Sequence, residues 1–196
     1  MGSKISYIYS KVRNIIMNFI KTSFEELVII ENNIFSDERG YLSEIYKDDY
    51  FFNNLSFKNV LELEVKSSKD VIRGLHYQLE PFAQAKIVRV ISGSILDIVV
   101  DIRQNSKTFG KYFQIELNDK NKKQLFIPKG FAHGYLVLSD SAKIIYKMDN
   151  VYNSDMARGI KFDDETLNID WKLFCEPILS KQDMSFPSFD KAEVFR

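Results

Sequence analysis

Cysteine, histidine and tryptophan are scarce in this 196-residue chain, which has one Cys, two His and one Trp. With Cys175 alone no disulfide can close within the chain, so stability must come from a packed core and a reducing compartment is permitted; the expected location is the cytoplasm. An excess of one charge is missing too. The 27 basic and 27 acidic side chains cancel, which removes the counterion-release drive toward DNA or RNA and leaves nucleic acid outside the expected partners. No apolar run exceeds four residues, as in Tyr135 to Leu138, far below the roughly 20 that span a bilayer, so no membrane segment is expected. The N-terminus lacks the apolar core and small-residue cleavage site of a signal peptide. Its Ile5, Ile8, Val12, Ile15 and Phe19 recur at nearly helical spacing among Lys4, Lys11, Arg13 and Lys21, and residues 1–24 are expected to be a solvated extension, weakly helical, ahead of an internal start near Met17.

What the chain does have is a core's worth of apolar residues, 45%, against 28% charged, which excludes a disordered or collagenous class and allows one domain over residues 25–196. From Leu27 onward it reads as short strands. Leu61-Glu62-Leu63-Glu64-Val65-Lys66 alternates as a strand with one wet face requires. Further strands are expected over 27–30, 40–46, 71–78, 85–91, 95–101, 112–117, 124–127, 135–138, 142–148 and 159–162. Turn residues separate them, as in Ser36 to Gly40, Ser92-Gly93-Ser94 and Pro128-Lys129-Gly130. No helix long enough for a parallel βαβ crossover lies between, so antiparallel pairing in an all-β sandwich or jelly roll is expected, with short helices near 47–53 and 163–167.

Two histidines are too few for the three or more ligands of a buried zinc or iron site, and the His-x-His pair of metal-binding jelly rolls is absent. His76 lies in Arg73-Gly74-Leu75-His76-Tyr77-Gln78. In a regular strand, Gly74, His76 and Gln78 would face one way and Arg73, Leu75 and Tyr77 the other. Bringing Arg73 and His76 into one pocket needs an irregularity, and Gly74 is the residue to supply a bulge. Spacing alone would read Lys86 as a snorkelling lysine and Tyr146 as packing.

Five stretches carry more than spacing: Phe35 to Gly40; Arg73 to Gln78; Val99 to Arg103 with Ser106 to Gly110; Ile127 to Gly134; and Leu179 to Asp183. In order and spacing, from about Leu27 to Asp183, they resemble the dTDP-4-dehydrorhamnose 3,5-epimerase family. The resemblance implies a cupin-like jelly roll (a double-stranded β-helix sandwich), homodimeric, inverting carbons beside the keto group of a nucleotide-linked 4-keto-6-deoxy sugar for surface-polysaccharide or deoxysugar synthesis, without metal or cofactor. It further implies His76 as the base, Asp183 as its hydrogen-bonding partner, Tyr146 as the acid on the far face and Lys86 as the enolate's counter-charge. Arg73 and His133 would lie against the sugar and diphosphate and Tyr152 on the nucleotide side, with Arg39 and Glu44 reaching in from a partner subunit.

The chain departs from the family pattern at Leu61 and Leu63, where Gln and Asn usually stand, at Leu42, usually aromatic, and at Gln182, usually Lys. These changes leave open a GDP-, CDP- or UDP-linked hexose or heptose as substrate. A nucleotide-sugar 3,4-ketoisomerase is disfavoured because those relatives place a histidine pair on one strand; a jelly roll that binds sugar nucleotides without catalysis is the remaining alternative.

Overall fold

The computed structural model describes residues 17–196, so the helical spacing read from Ile5 to Ile15 lies outside the described residues. Strands β1 (Asn18–Lys21) and β2 (Val28–Glu31) are followed by a small hairpin of β3 (Phe35–Asp37) and β4 (Gly40–Leu42), then by helix α1 (Asp48–Leu55). The body of the fold is β5 (Leu61–Ser68), β6 (Ile72–Gln78), β7 (Lys86–Ser92), β8 (Ser94–Asp101), β9 (Tyr112–Asn118), β10 (Gln124–Ile127), β11 (Phe131–Val137) and β12 (Ser141–Met148). Beyond them come β13 (Ala157–Gly159), the single-turn helix α2 (Lys181–Met184) and a 3-10 turn at Phe189–Lys191.

Strand pairing is antiparallel throughout the two main sheets. One sheet runs β1-β2-β10-β7-β12-β5 and the other β13-β6-β11-β8-β9. Their inner faces share a core that includes Val88, Val90, Ile95, Val99, Leu125, Tyr135 and Ile144. The outer face of the six-stranded sheet is covered by α1 and the residues just after it, through Phe51 and Phe57 on Ile30, Ile87 and Phe126. The outer face of the five-stranded sheet is covered by the C-terminal segment, where Leu167 and Trp171 pack on Ile72, Leu75 and Ile98. Because β8 and β11 are buried on both faces, they are mostly apolar without strict alternation, while the edge strand β5 keeps its alternation. The result is the cupin-like jelly roll that the resemblance implied.

Four local expectations change. The strand expected over 159–162 is displaced to Ala157–Gly159, where β13 pairs with Gln78 to His76 on β6. The sheet already begins at β1, inside the stretch read as an extension, because Met17 is buried and Phe19 packs on Tyr50 and Phe51. The single strand expected over 40–46 is cut short at Leu42, since Ser36 to Gly40 turns the chain into the β3–β4 hairpin, with Gly40 at φ +126°. The helix expected at 163–167 is a turn. There the buried Asp164 carboxylate accepts from the Thr166 and Leu167 amides, both at 3.0 Å, and from the Phe189 amide at 2.8 Å. An aspartate that binds nearby amides competes with helical hydrogen bonding in this way.

The irregularity that Arg73 and His76 required is present. Tyr135 on β11 pairs with Arg73 and His133 with His76, so two residues of β6 fit opposite one of β11. Gly74 takes φ +133°, and a Cβ there would stand 2.5 Å from Gly134 Cα and 2.8 Å from the His133 carbonyl oxygen. Only glycine fits. Gly74→Ala is expected to cost about 2–4 kcal/mol from backbone strain and overlap, read as a fall of roughly 5–15 °C in Tm by thermal unfolding; an unchanged Tm would contradict this close approach.

Candidate active site

The bulge turns Arg73 and His76 toward the same side of the five-stranded sheet as His133 and Tyr135, the side that faces the other sheet. His76 is then held from outside the strand. Its Nε2 lies 2.6 Å from Asp183 Oδ1 on α2. Ser180, the N-cap of α2, accepts the Asp183 amide at 3.0 Å and donates its hydroxyl to Asp183 Oδ2 at 2.8 Å. Both carboxylate oxygens are thereby engaged. Burial pushes the Asp183 carboxyl up, but the hydrogen bonds from His76 and Ser180 outweigh it and hold it below the usual carboxylate range. An ionised Asp183 accepts the Nε2 proton, which leaves the lone pair of the imidazole on Nδ1. Phe186 stands edge-on to the ring at 5.4 Å between centroids, in space that exists because Gly159, opposite His76 on β13, has no Cβ.

The facing sheet supplies a cation and a phenol. Lys86 opens β7 and is 7% exposed; burial lowers its ammonium to about 8, with the Asp97 carboxylate opposing the shift. Tyr146 on β12 is 8% exposed, and burial pushes its phenol well above the ordinary range, so it keeps its proton at neutral pH. The His133 ring meets the Tyr146 ring edge-on at 5.9 Å and so spans the gap between the sheets. His133 Nε2 lies 3.0 and 3.1 Å from the two oxygens of Asp97, which is fully buried. Burial lowers the His133 imidazole below its usual value against the pull of that carboxylate. The space between the sheets thus carries two imidazole–carboxylate pairs, with His76 half exposed and His133 mostly buried.

Of the residues expected from sequence, His76, Asp183, Lys86, Tyr146, His133 and Arg73 come together here. Tyr152 is 64% exposed on the loop after β12, and Gln78 clamps the backbone on both sides of it through the Val151 carbonyl at 3.1 Å and the Asn153 amide at 2.7 Å. Arg39 and Glu44 stand apart. Arg39 pairs with Asp37 within the β3–β4 hairpin. Glu44 precedes Ile45, which lies on the outer face of the six-stranded sheet among Ile87, Arg89 and Ile145. Leu63 and Leu61 pair with Tyr146 and Met148, which puts both leucines on the cleft side of β5. Gln182 is exposed on α2.

Asp97, Ser67, Tyr135 and Ser180 were missed. Asp97 had a signal, one acid inside the apolar run Ile95-Leu96-Asp97-Ile98-Val99-Val100, where burial demands a partner. The others look like ordinary strand or loop residues. No cluster of three or more His, Cys, Asp or Glu suited to a metal occurs among the described residues.

A half-exposed imidazole held by a carboxylate on one sheet, with a proton-bearing phenol and a buried ammonium on the facing sheet, gives this jelly roll a cluster of groups able to accept and donate protons. The model of the dTDP-4-dehydrorhamnose 3,5-epimerase family matches residues 21–191, and the chain belongs to that family. It is 44% identical to a dTDP-4-dehydrorhamnose 3,5-epimerase of Shigella flexneri, covering 91% of this chain and 99% of the relative. A crystal structure of the enzyme of that name from Elizabethkingia anophelis superimposes with a TM-score of 0.86 at 43% identity, covering 90% of this chain and 99% of that one. A dTDP-6-deoxy-D-glucose-3,5-epimerase of Legionella pneumophila, solved with dTDP-4-keto-L-rhamnose, superimposes with a TM-score of 0.88 at 38% identity over 92% and 98%.

Asp183→Ala would leave His76 and Ser180 without their shared acceptor and is expected to cost about 1–3 kcal/mol at pH 7. Since the folded carboxyl is depressed, that stabilisation is present above the unfolded value near pH 4 and disappears as pH falls through the folded value. Denaturant melts from pH 7 to 3 check this: the gap between wild type and variant should close in acid, and a gap that persists or widens would contradict it.

Proposed function

We propose that this chain inverts C3 and C5 of a dTDP-linked 4-keto-6-deoxy sugar of the dTDP-4-dehydro-6-deoxyglucose type, by removing a proton beside the keto group and returning one to the other face. The observation that carries the reading is that His76, held by the Asp183 carboxylate, pairs across β6 and β11 with His133, whose ring meets the buried Tyr146 phenol of the facing sheet, in a chain that belongs to this epimerase family. The ketone acidifies its neighbouring C–H bonds. His76 Nδ1 takes that proton, the electron pair moves through the carbonyl to oxygen, and Lys86 offsets the negative charge that develops there. Tyr146 then delivers its proton to the opposite face of the same carbon as the enolate collapses. His76 returns its proton to water and Tyr146 regains one, so each inversion leaves the protein unchanged.

Arg73 and His133 border the ligand's sugar and diphosphate in this reading, and Tyr152 supplies a ring on the nucleotide side. Arg39 and Glu44 act in a second copy's cleft. In support, among the described residues the β3–β4 hairpin pairs with no other strand, and Phe35, Tyr41 and Leu42 on it and Ile34 beside it are exposed, a patch suited to a homodimer contact. A charged sugar nucleotide as substrate and the single cysteine suit the cytoplasm.

A second reading keeps the epimerase and changes the nucleotide. It is favoured by Leu61 and Leu63, which offer the cleft an apolar strip where the family usually places hydrogen-bonding side chains.

Deuterium exchange from solvent into dTDP-, UDP-, GDP- and CDP-linked 4-keto-6-deoxy sugars tests both. Label should enter at C3 and C5 of the dTDP sugar, His76→Ala should abolish its entry, and Tyr146→Phe should allow exchange while impairing inversion by about 10²–10⁴-fold. Full exchange in His76→Ala would overturn the base assignment, no exchange with any sugar would overturn the enzyme reading, and preference for another nucleotide would establish the second reading.

A further inference from the structure

Arg73 is exposed at the cleft rim, yet its guanidinium is fixed by groups that are themselves buried. Its Nε donates to Ser67 Oγ at 3.0 Å, and Ser67 Oγ in turn lies 3.0 Å from Tyr135 Oη. Ser67 is 5% exposed and Tyr135 is 1% exposed. The three residues come from different parts of the fold. Ser67 sits on the inner face of β5, at the edge of the six-stranded sheet, and Tyr135 pairs with Arg73 across β11 and β6 of the other sheet. Ser67 therefore ties one sheet to the other at the mouth of the cleft.

We propose that Ser67 and Tyr135 are positioning residues for Arg73, a buried hydroxyl pair that captures Nε and so aims the two terminal nitrogens of the guanidinium at the diphosphate of the nucleotide sugar. Three observations support it. An arginine carries five N–H donors in a rigid fork, so engaging Nε leaves the outer edge whole for a bidentate contact with phosphate oxygens. Burial removes water as a competitor for the Ser67 hydroxyl. The chain also places a bulge and a glycine at position 74, which turn this side chain inward at all, and a guanidinium left to wander would gain nothing from that placement. Neither hydroxyl touches the reacting carbon. Their effect passes through Arg73, and it belongs to ligand capture more than to proton transfer.

This rests on the epimerase reading for the identity of the ligand, and the test separates the two. Inorganic pyrophosphate and dTDP affinities are measured by calorimetry, and kcat and KM by the exchange assay, in wild type, Ser67→Ala, Ser67→Thr, Tyr135→Phe, Arg73→Ala and the double variant Ser67→Ala/Arg73→Ala. Ser67→Ala should raise KM and weaken both anions about tenfold, with kcat changed less than about threefold. Ser67→Thr, which keeps the hydroxyl, should restore affinity to within about threefold. Tyr135→Phe leaves Ser67 in place and should weaken both anions by a smaller factor, and it carries the test should Ser67→Ala fold poorly. In the Arg73→Ala background, Ser67→Ala should add nothing. An equal loss with or without Arg73, or a loss confined to kcat, would overturn the proposal. A wild type that binds both anions but exchanges no deuterium would count against the epimerase reading alone.

Discussion

The 2.6 Å contact between His76 Nε2 and Asp183 Oδ1 joins parts of the chain 107 residues apart and decides what the cleft can do. An imidazole with a free ring could donate or accept through either nitrogen. Bound to an ionised carboxylate through Nε2, it presents a lone pair on Nδ1 and gains a counter-charge once that nitrogen takes a proton. The C-terminal segment has a structural task as well, since Leu167 and Trp171 cover the outer face of the five-stranded sheet. Packing that segment down brings Ser180 and Asp183 to the strand that carries His76, so the segment that covers the core also supplies the carboxylate.

The opposite wall depends on burial. An ammonium at 7% exposure and a carboxylate at 0% are costly to remove from water, and a core built for stability alone would hold apolar residues at Lys86 and Asp97. Their retention has a chemical reading. Burial lowers the Lys86 ammonium to about 8 and holds the Tyr146 phenol neutral, while Asp97 both fixes His133 and opposes the loss of charge on Lys86. A cation near its titration point and a phenol with its proton suit the stabilisation and quenching of an enolate.

Much of the fold was legible because edge and hairpin strands keep a period of two, as in Leu61 to Lys66, and because turn residues mark their ends. Buried strands were legible as apolar runs, although β11 extends back through Phe131 to Gly134, where glycine and histidine break the pattern. Asp164 illustrates what a local pattern hides: its neighbourhood has helical spacing, yet its carboxylate captures amides from its own turn and from Phe189, a partner that only the tertiary fold supplies. The site divides in the same way. His76 and Asp183 were recognised as members of motifs, and the need for a bulge at Gly74 followed from strand alternation. Ser67 and Tyr135 carry no such mark, because a serine in an alternating strand and a tyrosine in an apolar one are ordinary until two sheets close on them.

The most direct measurement is the rate of solvent deuterium entry into a nucleotide-linked 4-keto-6-deoxy sugar with Asp183→Asn, beside its dTDP affinity. An asparagine keeps the shape but offers no charge to an imidazolium and no fixed preference for the Nε2 proton. The expected result is exchange slowed by about 10²–10⁴-fold with dTDP affinity unchanged. Exchange within about threefold of wild type would show that the carboxylate on His76 does not govern the base.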